Sequence, residues 1–299
     1  MKRNNRVKRT KEDAVTDIVI NVILFVVAIV CIYPIWYVLI ASVSSPSAIS
    51  LGEVVLLPKG FNLFGYKALL DNKIIWTGYR NSILYAVFST LLALAVELPA
   101  AYALSRPQLP GRKWIMTMFI ITMYFSGGMI PKYMLLNSLG MIDNPLALIV
   151  PGCASVFNII VARSFFESNI PETLFDAAQI DGCGYFRFFA KIVVPLSPAI
   201  IAIIALYCMM GSWNAYLTPQ QYIYSPELKT LQQIIRSITA TLDSSLSADM
   251  DVTELITQMQ QKQLLKFSVI VVSVVPMVAI YPFVQKFFVK GVMVGAVKG

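Results

Sequence analysis

The sequence predicts an all-α integral membrane protein with six transmembrane helices. Three observations carry this expectation. Of the 299 residues, 57% are apolar and only 13% are charged, against roughly 45–50% and about 25% in soluble domains. Six apolar runs approach or exceed the roughly 20 residues that a helix needs to cross the hydrocarbon core. Basic residues concentrate in alternate connections between those runs.

The first run, 18–40, follows Lys2, Arg3, Arg6, Lys8, Arg9 and Lys11. It is longer than the roughly 7–15 apolar residues of a secretion signal and has no convincing small-x-small cleavage site, so it is expected to stay as the first span. The second run, 82–104, carries Glu97 and Pro99. The third is 114–136, the fourth 145–166, the fifth 198–217 and the sixth 267–287. The expected organisation is a tail over 1–17, a membrane domain over 18–287 and a second tail over 288–299.

Orientation follows from the preference of Lys and Arg for the cytoplasmic side. With both termini inside, segments 1–17, 105–113, 163–196 and 286–299 are cytoplasmic and hold 15 of the 24 basic residues against seven acids. The formal charge of +8 is thereby explained by membrane orientation, and no nucleic-acid partner is called for. Two long loops, 43–81 and 218–266, then lie outside. In the second, 227–238 places Leu228, Leu231, Ile234, Ile235 and Ile238 near helical spacing, and 252–265 is similar. Two readings stand for this loop: packing over the helix bundle, or docking of an extracytoplasmic partner.

Composition also removes chemistry. There is no histidine, the commonest general base and metal ligand. Cys31, Cys153, Cys183 and Cys208 form no CxxC pair, so neither a zinc site nor a redox motif is expected. No GxxxxGK[ST] run supplies a phosphate-cradling loop. No catalytic set and no metal site is expected. Matched halves with broken helices, common in secondary transporters, are not visible.

The most informative connection is 164–198, SFFESNIPETLFDAAQIDGCGYFRFFAKIVVPLSP. Pro171 suits a helix start, and Glu172 favours the positive end of the helix dipole. Leu174, Phe175 and Ala178 share a face. Gly182 can take φ > 0 and stop the helix. A second short helix follows, with Phe186, Phe189 and Val193 expected on one face, and Pro195 ends it. Two short helices meeting at a glycine are expected, with small Ala177 and Ala178 permitting close approach of another surface.

Residues 176–195 resemble the EAA signature of ATP-binding-cassette import permeases. Its acid, two alanines, glycine, apolar residue and apolar-Pro pair fall on Asp176, Ala177, Ala178, Gly182, Ile192 and Val194-Pro195. Aspartate replaces the usual glutamate, and Val194 stands where leucine is common. The run AYALSRPQLPGRKW (101–114) is similar to that of carbohydrate permeases, as is the end YPFVQKFFVKGVMVGAVKG (281–299). The stretch MYFSGGMIPKYMLLNSLGM (123–141) resembles the oligosaccharide branch.

The resemblance implies a permease subunit in a bacterial plasma (inner) membrane, multi-pass, with both termini cytoplasmic. It implies pairing in membrane lipid with a second homologous permease. It further implies two ATPase subunits, holding ATP and Mg, and an extracytoplasmic sugar-binding protein. No cofactor is expected on this chain, which is not expected to be an enzyme. The loop 167–197 would be the coupling helix-turn-helix, with Glu172, Asp176, Ala177, Ala178, Gly182, Ile192 and Pro195 meeting the ATPase. The region of Lys290-Gly291 and Lys298-Gly299 either reaches the ATPases or anchors the chain by charge.

Candidates for the translocation path are Glu97, Tyr124, Asn158, Trp213, Asn214 and Tyr216. Glu97 lies about 12 Å into its span. An acid there lines a path, or is paired or protonated at a subunit interface. Trp213 and Tyr216 fit sugar stacking, and equally an interfacial aromatic belt or packing. The alternatives to a sugar permease are the same machine carrying another solute, or a stand-alone secondary transporter.

Overall fold

The computed structural model describes residues 11–244, 262, 264–280 and 282. Among the described residues every regular element is helical. The chain divides into two compact units, residues 1–71 with 244–272, and residues 72–243 with 273–299.

In the first unit, helix α1 (Lys11–Ser42) contains a continuous membrane-length stretch, Val15–Ser42. Its 28 residues are about 42 Å long. Nearly all its large apolar side chains are exposed, as hydrocarbon-facing residues are. Only the end packs: Ile40 and Ala41 join Ala48, Ile49 and Val54 in a small core with Leu264 and Phe267. Two short helices follow, α2 (Pro46–Ser50) and α3 (Phe64–Leu70). Ser45 caps α2 by accepting the Ala48 N–H, which satisfies one of the orphan donors of a helix start. Gly65 in α3 lies so close to Ser268 that an added Cβ would stand 2.2 Å from its hydroxyl.

The second unit is organised by α4 (Lys73–Ser105). Its helix begins at Lys73, ahead of the apolar run predicted from residue 82, because the Asn72 side chain accepts the Ile74 N–H at 3.0 Å. Next come α5 (Arg112–Tyr124), α6 (Met129–Ser138), α7 (Leu146–Ile149), α8 (Val156–Asn169) and α9 (Glu172–Ile180). Then α10 (Tyr185–Phe188) runs through a π turn (Phe189–Val193) into α11 (Val194–Leu196). Finally come α12 (Pro198–Asn214), α13 (Leu217–Tyr222) and α14 (Leu231–Ser244); of the C-terminal helix Leu264–Ile280, residues 264–272 belong to the first unit. The core forms where α4 packs against α8 and α12, around Leu98, Ala101, Tyr102, Ile159, Phe166 and Ile200.

Three expectations change here. Residues 114–136 are not one straight span: α5 and α6 bend by 109°. The break falls at Gly127-Gly128, where Gly128 takes φ 88°, a conformation that side chains resist. The expected fourth run opens as the short α7, a turn and then α8. The second helix of the 164–198 connection also buries a different face. Phe188 and Val193 are buried while Phe186 is 83% exposed. Between those two buried residues lies the π turn, in which the Val194 N–H reaches back to the Phe189 carbonyl, and it brings Val193 round to the side of Phe188. A wider turn rotates the face that follows, and it comes just before Pro195, which has no N–H to give.

The loop 227–238 packs rather than projects. Asn81 donates to the carbonyls of Glu227 and Lys229, Tyr85 donates to that of Leu228, and the Leu231 N–H bonds Ser82 Oγ at 2.8 Å. Leu231 and Ile234 are buried over Gly78, whose missing side chain makes the room. The stretch 252–263, the end of the sixth expected span and the positions Lys290-Gly291 and Lys298-Gly299 lie outside the described residues, apart from Lys262, Leu264–Ile280 and Pro282.

A carboxylate clamps two other connections. Asp143 takes φ 56°, which an aspartate tolerates better than most residues. It accepts the backbone N–H groups of Tyr224 and Ser225, both at 2.9 Å, and the Ser225 hydroxyl. The Ser225 hydroxyl first, then those N–H groups, hold the carboxyl below its ordinary range. A depressed pKa means that the clamp's contribution is complete above the ordinary carboxylate value and is lost as pH falls through the depressed one. Hydrogen exchange at Tyr224 and Ser225 is therefore expected to be slow at neutral pH and to quicken, relative to its intrinsic rate, on strong acidification. Asp143→Ala is expected to exchange fast at every pH, and equal protection in that variant would refute the clamp.

Candidate functional site

Two places in the second unit bring polar or exposed functional groups together. The first is a cavity of about 360 Å³ bounded by α4, α6, α8, α12 and α13. Its polar lining includes Tyr85, Ser89, Lys132, Asn158, Tyr207 and Thr218. Hydroxyls, an amide and two aromatic rings form a surface able to hydrogen-bond and stack against a polyhydroxylated ligand.

Glu97 lies behind that lining and is fully buried. One oxygen accepts the Ser155 N–H at 2.7 Å and the other accepts the Asn158 amide at 3.0 Å. Ser155 is the cap residue of α8. The acid of α4 thus sits at the helix start of α8, where negative charge is favourable. The Asn158 amide also reaches the Cys208 sulfur of α12 at 3.5 Å. Three helices meet through these side chains, and of the two readings of Glu97 the contacts favour pairing, here within the chain.

The other predicted path residues are scattered. Asn158 lines the cavity. Trp213 is 3% exposed, donates to the Ser273 carbonyl at 3.2 Å and lies against Tyr79. Tyr216 holds the Arg236 guanidinium over its ring at 5.2 Å. Asn214 is exposed, as is Tyr124, and neither lines the cavity. Sequence reasoning misses Lys132, Tyr85 and Tyr207, since their runs read as apolar span and give no local polar pattern.

The second place is the connection 167–197. The end of α9 forms a Schellman-type stop: the Gly182 N–H bonds the Gln179 carbonyl and the Cys183 N–H the Ala178 carbonyl, both at 2.9 Å. Gly182 sits at φ 72°, and an added Cβ there would meet nothing within 4 Å. The glycine is needed for its backbone angle, not for space. Phe175 packs edge-on against Phe188 at 5.1 Å, and both join the core with Tyr102 and Phe166. On the other side Glu172, Asp176, Ala177 and Pro195 are exposed, and Ile180 is 88% exposed. Ala178 is buried and Ile192 half-buried, so these two serve the attachment rather than the free face.

Residues that link α4 to α5 brace this connection. Arg106 donates to the Ile170 carbonyl at 3.2 Å and stacks over Tyr102. Gln108 bonds Glu172. Arg112 pairs with Glu167, which also takes Arg163 at 3.0 Å. Nothing local in the run 101–114 reveals this mechanical role, because its partners stand some sixty positions away.

Known proteins resemble this chain along nearly its whole length. The polygalacturonan/rhamnogalacturonan transport system permease protein YtcP of Bacillus subtilis (strain 168) is 36% identical over 284 residues, covering 95% of this chain and 98% of that protein. Protein LplC of the same strain is 33% identical, covering 97% of each. Its maltodextrin transport system permease protein MdxG is 27% identical over 92% of this chain and 94% of its own. The crystal structure of a bacterial ABC transporter involved in the import of the acidic polysaccharide alginate contains a chain that superposes with a TM-score of 0.84. That chain is 32% identical, with 94% of this chain and 99% of that one covered. No family model matches the sequence. A helical chain with a polar cavity among apolar helices, similar from end to end to sugar permeases, belongs to the carbohydrate-uptake family of ATP-binding-cassette import permeases.

Proposed function

We propose that this permease forms, with a second homologous permease, the path for an acidic oligosaccharide delivered by an extracytoplasmic binding protein. ATP is hydrolysed on two separate ATPase subunits, which hold the nucleotide and Mg. The bent pair 112–138, with α1, α4, α8, α12 and the C-terminal helix, makes up six membrane passages, and both termini are cytoplasmic. The acidic substrate is supported by two similar proteins, one named for polygalacturonan, a chain of uronate sugars, and one described as importing alginate.

The observation that carries the coupling role is the two-sided character of 167–197. Phe175, Phe188 and Val193 are buried in the core that α4, α8 and α12 share, while Asp176, Ala177, Ile180 and Phe186 are exposed. An element rigidly fixed to the spans on one side and free on the other transmits motion between a docked ATPase and the path. Alternating access is a two-state equilibrium, and ATPase closure shifts it through contacts that differ between the states.

The test is ATP hydrolysis by the four-subunit complex in nanodiscs, with and without the binding protein charged with an acidic oligosaccharide pool. Stimulation is expected only with the charged protein. Flux driven by an ion gradient without any ATPase would overturn the reading.

A further inference from the structure

Resting on the acidic-substrate reading above, we infer that Lys132 is the carboxylate-binding subsite of the central cavity. The cavity has one charged lining residue among the described residues, and it is Lys132. Lys132 is exposed and contributes to the cavity wall, so its ammonium is open to an incoming anion. No carboxylate lies within ion-pair distance of it among the described residues.

The buried acid of α4, Glu97, does not serve as its partner. Both oxygens of Glu97 are engaged by the Ser155 N–H and the Asn158 amide. That arrangement also removes the other anion-attracting feature at this cavity. The start of α8 already carries Glu97, so an incoming carboxylate finds a neutralised helix end. Lys132 is left as the positive group. It lies on α6, which reaches the cavity only because the chain turns through 109° after α5.

The rest of the lining suits a sugar and not a simple anion. Tyr85 and Tyr207 offer ring faces, and Ser89, Ser212 and Thr218 offer hydroxyls. A neutral sugar would need those groups alone. The ammonium adds a charge-assisted bond that a uronate carboxylate accepts and a neutral hexose cannot fully replace.

The test is uptake of oligogalacturonate into proteoliposomes holding the full transporter and its binding protein. Lys132→Gln and Lys132→Met are each expected to lower uptake at least about tenfold, the scale of one lost charge-assisted bond. Lys132→Arg is expected to retain most of it. The gap between wild type and Lys132→Gln is expected to shrink as the carboxylates of the probe are methyl-esterified, which a merely structural lysine would not produce. Wild-type rates in both neutral variants would overturn the subsite, as would an equal loss on acid and ester. A wild-type transporter that accumulates no oligogalacturonate would instead sink the acidic-substrate reading itself.

Discussion

Gly182→Pro is expected to separate ATPase docking from membrane assembly. The φ of 72° at this residue is out of reach for proline, whose ring holds φ near −65°. The substitution also deletes the N–H that bonds the Gln179 carbonyl. A proline that breaks both backbone angle and hydrogen bond costs about 3 kcal/mol or more, enough to re-aim α10 relative to α9. The spans are untouched, so the variant is expected to insert and to co-purify with its partner permease. Co-purified ATPase and sugar uptake are expected to fall at least about tenfold, the equivalent of ~1.4 kcal/mol. Gly182→Ala gives the graded control. Its Cβ meets no neighbour, so only the left-handed backbone cost of about 1–2 kcal/mol applies, and a partial loss is expected. Asp176→Lys is expected to weaken ATPase pull-down through the exposed face without disturbing the turn. Normal uptake by Gly182→Pro would refute the coupling role of this connection.

Glu97→Ala is expected to destabilise the helix bundle more than any single change on the cavity wall. It strands the Ser155 N–H and the Asn158 amide, both turned toward a fully buried position. Each buried polar group left without a partner costs about 1–3 kcal/mol, so a loss of roughly 2–6 kcal/mol is expected, together with faster hydrogen exchange at the start of α8. Glu97→Gln keeps an acceptor for one of the two donors and is expected to lose about half as much. The Tm of the purified complex in detergent measures both, and a double-mutant cycle with Asn158→Ala isolates the shared contact. If Glu97→Gln keeps its Tm but abolishes uptake, the acid belongs to the path and not to the helix junction.

Glu97 and Gly182 also mark how far the amino-acid sequence is legible. Glu97 stands out as an acid deep in an apolar run, where its cost demands a reason. Its partners do not stand out, because Ser155 and Asn158 lie about sixty positions away on another helix. The turn at Gly182 is legible, since a glycine after an amphipathic stretch has a local meaning. The buried face of α10 is not. Phe188 is buried in place of Phe186, and the wide turn that follows them shifts the helical phase so that Val193 joins Phe188. The third run reads as a straight span because its apolar length suffices, whereas Gly127-Gly128 permit a bend that only packing selects.

Composition, apolar run length and charge distribution suffice to specify an all-helical membrane chain, and a run of small, acidic and glycine positions marks the connection 167–197 as a helix-turn-helix. These are local properties, written at neighbouring or periodic positions. Folding in three dimensions settles which side chains meet: Glu97 with the start of α8, Arg106 and Arg112 with the connection 167–197, and Lys132 with the cavity. Such contacts join segments far apart in the chain, and the helical period constrains which face a residue takes but not which helix that face will meet.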